Sequence, residues 1–160
     1  LACFMAFFVA VAGCSTITIG KLDETVSAEL GSVSVVETDG RAGQIYSRAL
    51  RQELYLHRQT VPAYVLTSSI SVSSSTTLSV RGISSTFRKM TMVATFKMTK
   101  QGNGDVLLQD KVSADATLGT VSSLFGQDQS ELHARDRMAR LIAQRVAQRI
   151  QLYFLENADS

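Results

Sequence analysis

The residues whose types and spacing most clearly support chemistry are Val11-Ala12-Gly13-Cys14. A branched apolar residue, two small residues and a cysteine form the pattern a lipoprotein signal peptidase reads. Small side chains admit the protease beside the scissile bond, and the thiol takes a diacylglyceryl group before cleavage exposes the cysteine's amine. Residues 1–12 before it are an unbroken apolar run. The expectation is a signal segment over 1–13, a lipidated Cys14 with a tether over 14–30, and one domain over 31–160. A basic segment normally precedes such an apolar stretch; here the sequence starts at Leu1, so the expectation is a start truncated upstream. A transmembrane anchor would need about 20 apolar residues, more than this run supplies. An internal core strand would not normally carry Phe4, Met5, Phe7 and Phe8 at the extreme terminus.

Catalytic candidates are few. The two histidines are His57 and His133. His57 falls near the end of a helical pattern, where it meets the helix dipole in solvent; His133 falls in the first turns of another and reads as a surface residue. No HExxH, CxxC or EF-hand spacing occurs, so no metal site or cofactor is expected. There is no GxSxG elbow. Gly102 and Gly104 lack the Gly-Lys-Ser/Thr ending of a phosphate loop and read as a hairpin. Asp110 and Asp115 have opposite parity on a strand and point to different faces. The expectation is a protein that is not an enzyme.

Three basic residues stand out instead. Arg81 lies in Ser79-Val80-Arg81-Gly82, a connection between two strands, and Arg88-Lys89 follows at the start of the next strand. They read either as ordinary charge that discourages strand-to-strand association, or as a site for an anionic group, since a guanidinium fork suits phosphate geometry.

Composition sets bounds on what these residues can belong to. Cleavage before Cys14 leaves about 147 of the 160 residues, one ordinary domain. With Cys3 in the signal and Cys14 acylated, the domain has neither disulfide nor free thiol. A formal net charge of +2 is too mild for a dedicated nucleic-acid binder.

The elements that must carry these residues follow from periodicity. Val33, Val35 and Val36 mark a short strand within 31–37. Asp39-Gly40 marks a turn or helix cap, after which Ile45, Tyr46, Ala49, Leu50 and Leu54 recur on one helical face. Pro62 bars continuation, so this helix stops near 57–59. The period then becomes two. Tyr64, Leu66, Ile70 and Val72 alternate with Val65, Thr67, Ser69 and Ser71, and most clearly Met90, Met92, Ala94, Phe96 and Met98 alternate with Lys89, Thr91, Thr95 and Lys97. Gln101-Gly102-Asn103-Gly104-Asp105 is a hairpin turn. Val106, Leu108, Val112, Ala114 and Ala116 form one face of its second strand. Asp128-Gln129-Ser130-Glu131 reads as a capping box for a long helix to about Leu155. Its core stripe is Ala139, Ile142, Val146, Ile150 and Tyr153, and Asp136 pairs with Arg140 one turn on. The order β-α-β-β-β-α predicts an α+β two-layer sandwich, a four-stranded sheet with two amphipathic helices on one face.

Taken together, these stretches resemble the lipopolysaccharide-assembly lipoprotein family LptE, in its shorter, divergent form. The matching pieces are Val11-Ala12-Gly13-Cys14, Arg41-Ala42-Gly43-Gln44, Pro62-Ala63-Tyr64-Val65-Leu66, and Asp136-Arg137-Met138-Ala139 leading into Leu141-Ile142-Ala143. They run through nearly the whole domain in order and spacing. The resemblance implies a non-enzymatic outer-membrane lipoprotein, held on the periplasmic face by its acyl chains. It implies a partner, the translocon barrel LptD, which such proteins plug and help to assemble, and a ligand, lipopolysaccharide. Basic residues at one end of the sheet engage that ligand in the family. Arg81 matches one such position, with Arg88 and Lys89 beside it, while a second position, before the last helix, meets Gly126 or its polar neighbours.

Two other classes stay open. One is an auxiliary lipoprotein of an ABC-type lipid transport system, separable by its co-purifying partner. The other is a periplasmic hydrolase, which no nucleophile–base arrangement supports.

Overall fold

The computed structural model describes residues 26–54, 61–79, 86–119 and 123–157. Cys14, His57 and Arg81 lie outside them. The elements in chain order are α1 (26–31), β1 (Val33–Val35), α2 (Gly40–Leu54), β2 (Tyr64–Ser79), β3 (Thr86–Lys100), β4 (Val106–Gly119) and α3 (Leu124–Asn157). The strands form one mixed sheet in the order β1-β2-β3-β4. β1 runs parallel to β2, and the other pairs are antiparallel. A parallel pair needs a long crossover, and α2 supplies it. The fold is the expected α+β two-layer sandwich.

Even-numbered residues of the three long strands point to the helices. Met90, Met92, Ala94, Phe96 and Met98 of β3 are all buried, because β3 has a strand on each side and a helix layer above. From α2 come Tyr46, Leu50 and Leu54, and from α3 Met138, Ile142, Val146 and Ile150, each spaced to fall on one stripe. At about 1.5 Å per residue the 34 residues of α3 span about 50 Å. The 15 residues of β3, at about 3.3 Å each, span the same distance. One helix therefore runs the full length of the sheet.

Four details depart from the sequence expectation. Residues 26–30, expected in the tether, are helical, and Val26 joins the core at 3 % exposure. Val106 is exposed, because a bulge opposite Met98 and Thr99 shifts the register and ends the alternation before it reaches Val106. α3 starts four residues before Asp128: Ser123 caps it, its Oγ accepting from the Gly126 amide at 3.3 Å. Finally, Phe154 rather than Tyr153 is buried, Tyr153 meeting its ring edge-on at 5.5 Å.

The junction of α2 with β2 explains two small residues. A Cβ on Gly43 would lie 2.5 Å from the Thr38 carbonyl oxygen, so only glycine lets the helix sit on the preceding loop. The Thr38 amide donates to Ser47 Oγ at 3.1 Å, and Thr38 Oγ1 donates to the Ser68 carbonyl at 3.4 Å. Tyr46 and Ser68 share a hydroxyl–hydroxyl hydrogen bond of 2.9 Å.

Candidate functional site

The two ends of the sheet differ in chemistry. At the end reached through α1 and the 101–105 hairpin, where Gly102 and Gly104 take positive φ, a cleft of about 240 Å³ lies between Val26, Tyr64, Leu107 and Phe154, flanked by Glu29 and Lys100. The Tyr64 and Phe154 rings lie 5.2 Å apart. Burial, with Glu29 alongside, pushes the Tyr64 phenol up to about 12, so it stays a neutral hydroxyl.

The opposite end carries the basic residues. Arg88 and Lys89 are adjacent on β3, and the period of two sends them to opposite faces. Arg88 lies on the helix side, opposite Thr76 and Leu118 in the register, and is ion-paired with Glu131 of α3. Arg135, one turn further, also approaches Glu131, at 3.7 Å. The pair borders a cleft of about 250 Å³ lined by Thr76, Leu118 and Ser130. Lys89 lies on the open face, its Nζ 3.2 Å from Asp115 Oδ2. Thr91 Oγ1 donates to the other oxygen of Asp115 at 2.6 Å. That hydrogen bond, with Lys89 beside it, holds the Asp115 carboxyl below its ordinary range. Both cations thus have a carboxylate partner. Four apolar side chains lie exposed toward this end: Val72, Phe87, Leu124 and Phe125, the last two at 83 % and 72 %.

Sequence reasoning found the two cations and missed their partners. Glu131 read as a capping residue, whereas its carboxylate reaches across to the sheet. Asp115 is diagonal to Lys89 across the β3–β4 ladder, a relation visible only once the register is known. His133 is exposed, as expected. Asp110 and Asp115 do face opposite ways, Asp110 meeting Arg149 of α3 at 3.5 Å. Among the described residues no three His, Cys, Asp or Glu side chains converge on a metal-sized site, and no helix is long and apolar enough to cross a membrane. What this end offers chemically is paired charge beside exposed apolar surface.

The same layered fold occurs in solved structures. One is a protein described as a lipoprotein from Caulobacter crescentus CB15, with a TM-score of 0.65 and 15% identity, covering 83% of this chain and 97% of that one. Another is a minor lipoprotein from Acinetobacter baumannii, with a TM-score of 0.57 and 13% identity over 76% of this chain and 91% of that one. A third is the rare lipoprotein B from Shewanella oneidensis, with a TM-score of 0.54 and 18% identity over 79% and 97%. At such identities the likeness is one of fold. No curated protein sequence matches the chain significantly. The family model for LptE, lipopolysaccharide-assembly, matches residues 30–150, from α1 to Ile150 in the buried stripe of α3. The chain belongs to the LptE family.

Proposed function

We propose that this chain is a non-catalytic outer-membrane lipoprotein, anchored on the periplasmic face through acylated Cys14. It partners and plugs an LptD-like translocon barrel, aids the barrel's assembly and helps deliver lipopolysaccharide to the cell surface. The observation that carries this reading is the family match over residues 30–150. Two features of the domain support it. The sheet face away from the helices is polar, with Thr67, Ser69, Ser71, Ser73, Thr95 and Lys97 exposed, as suits the water-lined interior of a large barrel. The end that bears Arg88 and Lys89 also exposes Leu124 and Phe125, a combination that fits an anionic amphiphile. Arg81, with Arg88 and Lys89, is assigned to contact its phosphates.

Depletion in the native host tests the reading, combined with recovery of the tagged, lipidated chain and its partners. The expected result is an outer-membrane barrel in the recovered complex, a fall in barrel abundance on depletion, and permeability to bulky hydrophobic antibiotics. Normal barrel levels with a phospholipid-transport defect would overturn it in favour of an ABC-system auxiliary.

A further inference from the structure

The two outer edges of the sheet are treated differently. In an antiparallel pair, alternate residues turn their main-chain N–H and C=O toward the partner and away from it. On β4 the odd-numbered residues face outward, and side chains meet the main chain at two of them. The Lys111 amide donates to Asp110 Oδ1 at 2.7 Å, and Arg145 donates to the Ser113 carbonyl. β4 also carries Asp110, Lys111 and Asp115, charges of the kind that guard an edge against pairing.

On β2 the even-numbered residues face outward. Tyr64 donates to the Ser32 carbonyl, and the Leu66 carbonyl accepts from Val36 at 2.9 Å. Beyond Ser68, whose carbonyl accepts from Thr38 Oγ1, the chain of β1 has turned away into α2. From Ile70 onward the outward main-chain groups meet no strand among the described residues. This stretch has none of the usual protection. β2 holds no charged residue and no proline from Tyr64 to Ser79, and its register with β3 is regular as far as Thr76. Residues 71–76 are exposed on both faces. One edge carries charge and side-chain capping, while the other is neutral and, among the described residues, has no strand beside it.

We propose that the free edge of β2, residues 69–76, takes up an extended segment of the barrel partner as an added strand, in line with β1. The recognition is main chain to main chain, through the outward groups of Ile70, Val72 and Ser74. Small neutral side chains on both faces let the incoming segment approach without charge or bulk to displace. The guest is a segment of a larger partner rather than a second copy. The Ser/Thr surface offers few apolar anchors, so the strand pairing needs further contacts made elsewhere by the same partner. The proposal rests on the barrel partnership above.

The test compares amide hydrogen exchange, at single-residue resolution, in the isolated full chain and in its complex with the recovered barrel. In the isolated chain, Ile70, Val72 and Ser74 exchange fast while Ser69, Ser71 and Ser73, bonded to β3, exchange slowly. In the complex the three fast amides slow by about a hundredfold. Ser74→Pro is the matching variant, because its lost amide faces the open edge and not β3. It keeps the fold, judged by thermal melting, and lowers barrel recovery by about tenfold, whereas Ser74→Ala does not. A recovered barrel with the three amides still fast overturns the edge proposal alone, and absence of any barrel overturns the partnership with it. Protection already present in the dilute isolated chain, or growing with its concentration, assigns the edge to another part of this chain or to a second copy and overturns the proposal as well.

Discussion

Arg41 Nη2 lies 3.3 Å from Asp136 Oδ2, joining the first turn of α2 to α3 across 95 residues of sequence. Two of the stretches that carry the family resemblance, Arg41-Ala42-Gly43-Gln44 and Asp136-Arg137-Met138-Ala139, are therefore in contact. Asp136 does not make the local pair with Arg140 that its spacing predicts. Its side chain is 17% exposed, and its second oxygen, Oδ1, is buried with no partner among the described residues.

Removing the cation leaves that carboxylate half-buried and alone. Arg41→Ala is expected to cost about 1 kcal/mol of stability, and Asp136→Asn less, because the amide keeps the shape without the charge. Urea unfolding of both variants and of the double variant measures this. A coupling energy near zero would mean the pair adds nothing to helix docking.

Gly43→Ala tests the close approach of α2 to the loop before it. The added methyl would meet main-chain atoms of Thr38 at 2.5 and 2.8 Å, and main chain cannot swing aside as a flexible side chain can. The helix start must move, straining the Thr38–Ser47 bond. The expected loss is about 2–3 kcal/mol. Gly119→Ala, with nothing within 4 Å of its would-be Cβ, is the control and leaves the melting temperature nearly unchanged.

How far the fold was legible depends on the range of the interactions that decide each element. The alternation of Met90 through Met98 declares a central strand without outside help, and the Gly102 and Gly104 turn declares the hairpin beside it. The stripe of Tyr46, Leu50 and Leu54 likewise marks its helix. Val106 misled because a bulge at Leu107, in its own strand, resets its parity, and no local pattern records a bulge. Asp128 misled because two capping signals compete in 123–131 and the chain uses Ser123. The site was legible only as a set of cations. That Arg88 and Lys89 face opposite sides follows from strand parity. That Glu131 neutralises one and Asp115 the other depends on how α3 and β4 are laid against β3, which is a matter of tertiary placement.

Alkaline pH probes the buried phenol of Tyr46. Burial pushes it up to about 12 from 10.0, the hydrogen bond with Ser68 offsetting part of the shift. A folded-state value above the unfolded one makes unfolding release a proton. The stabilising effect is therefore whole below pH 10 and is lost as pH rises from 10 to 12, in all about 2–3 kcal/mol. Tyr46→Phe gives up the Ser68 bond, about 1 kcal/mol at neutral pH, and flattens the stability curve above pH 10. Denaturant midpoints at pH 8 and pH 11 check this; equal pH dependence in both proteins would place the alkaline transition elsewhere.

The pairing of Arg88 with Glu131 gives the lipopolysaccharide assignment a signed test. A guanidinium held by a carboxylate offers less to a phosphate than a free one, since the ligand must displace or share the partner. Glu131→Gln removes the competing charge, and nearby Arg135 is then freed as well. Titration with labelled lipopolysaccharide is expected to place Glu131→Gln several-fold tighter than the parent chain, and Arg88→Ala about tenfold weaker, the worth of one charge-assisted hydrogen bond. Arg81→Ala weakens binding similarly, with partial rescue by Arg81→Lys, which restores charge without the fork. Asp115→Asn releases Lys89 on the opposite face. The cleft beside Leu118 lies on the Arg88 side, so this variant is expected to change affinity less than Glu131→Gln. A larger effect from Asp115→Asn would move the contact to the open face of the sheet. Equal affinities across the series would return all three cations to the role of ordinary strand-end charge.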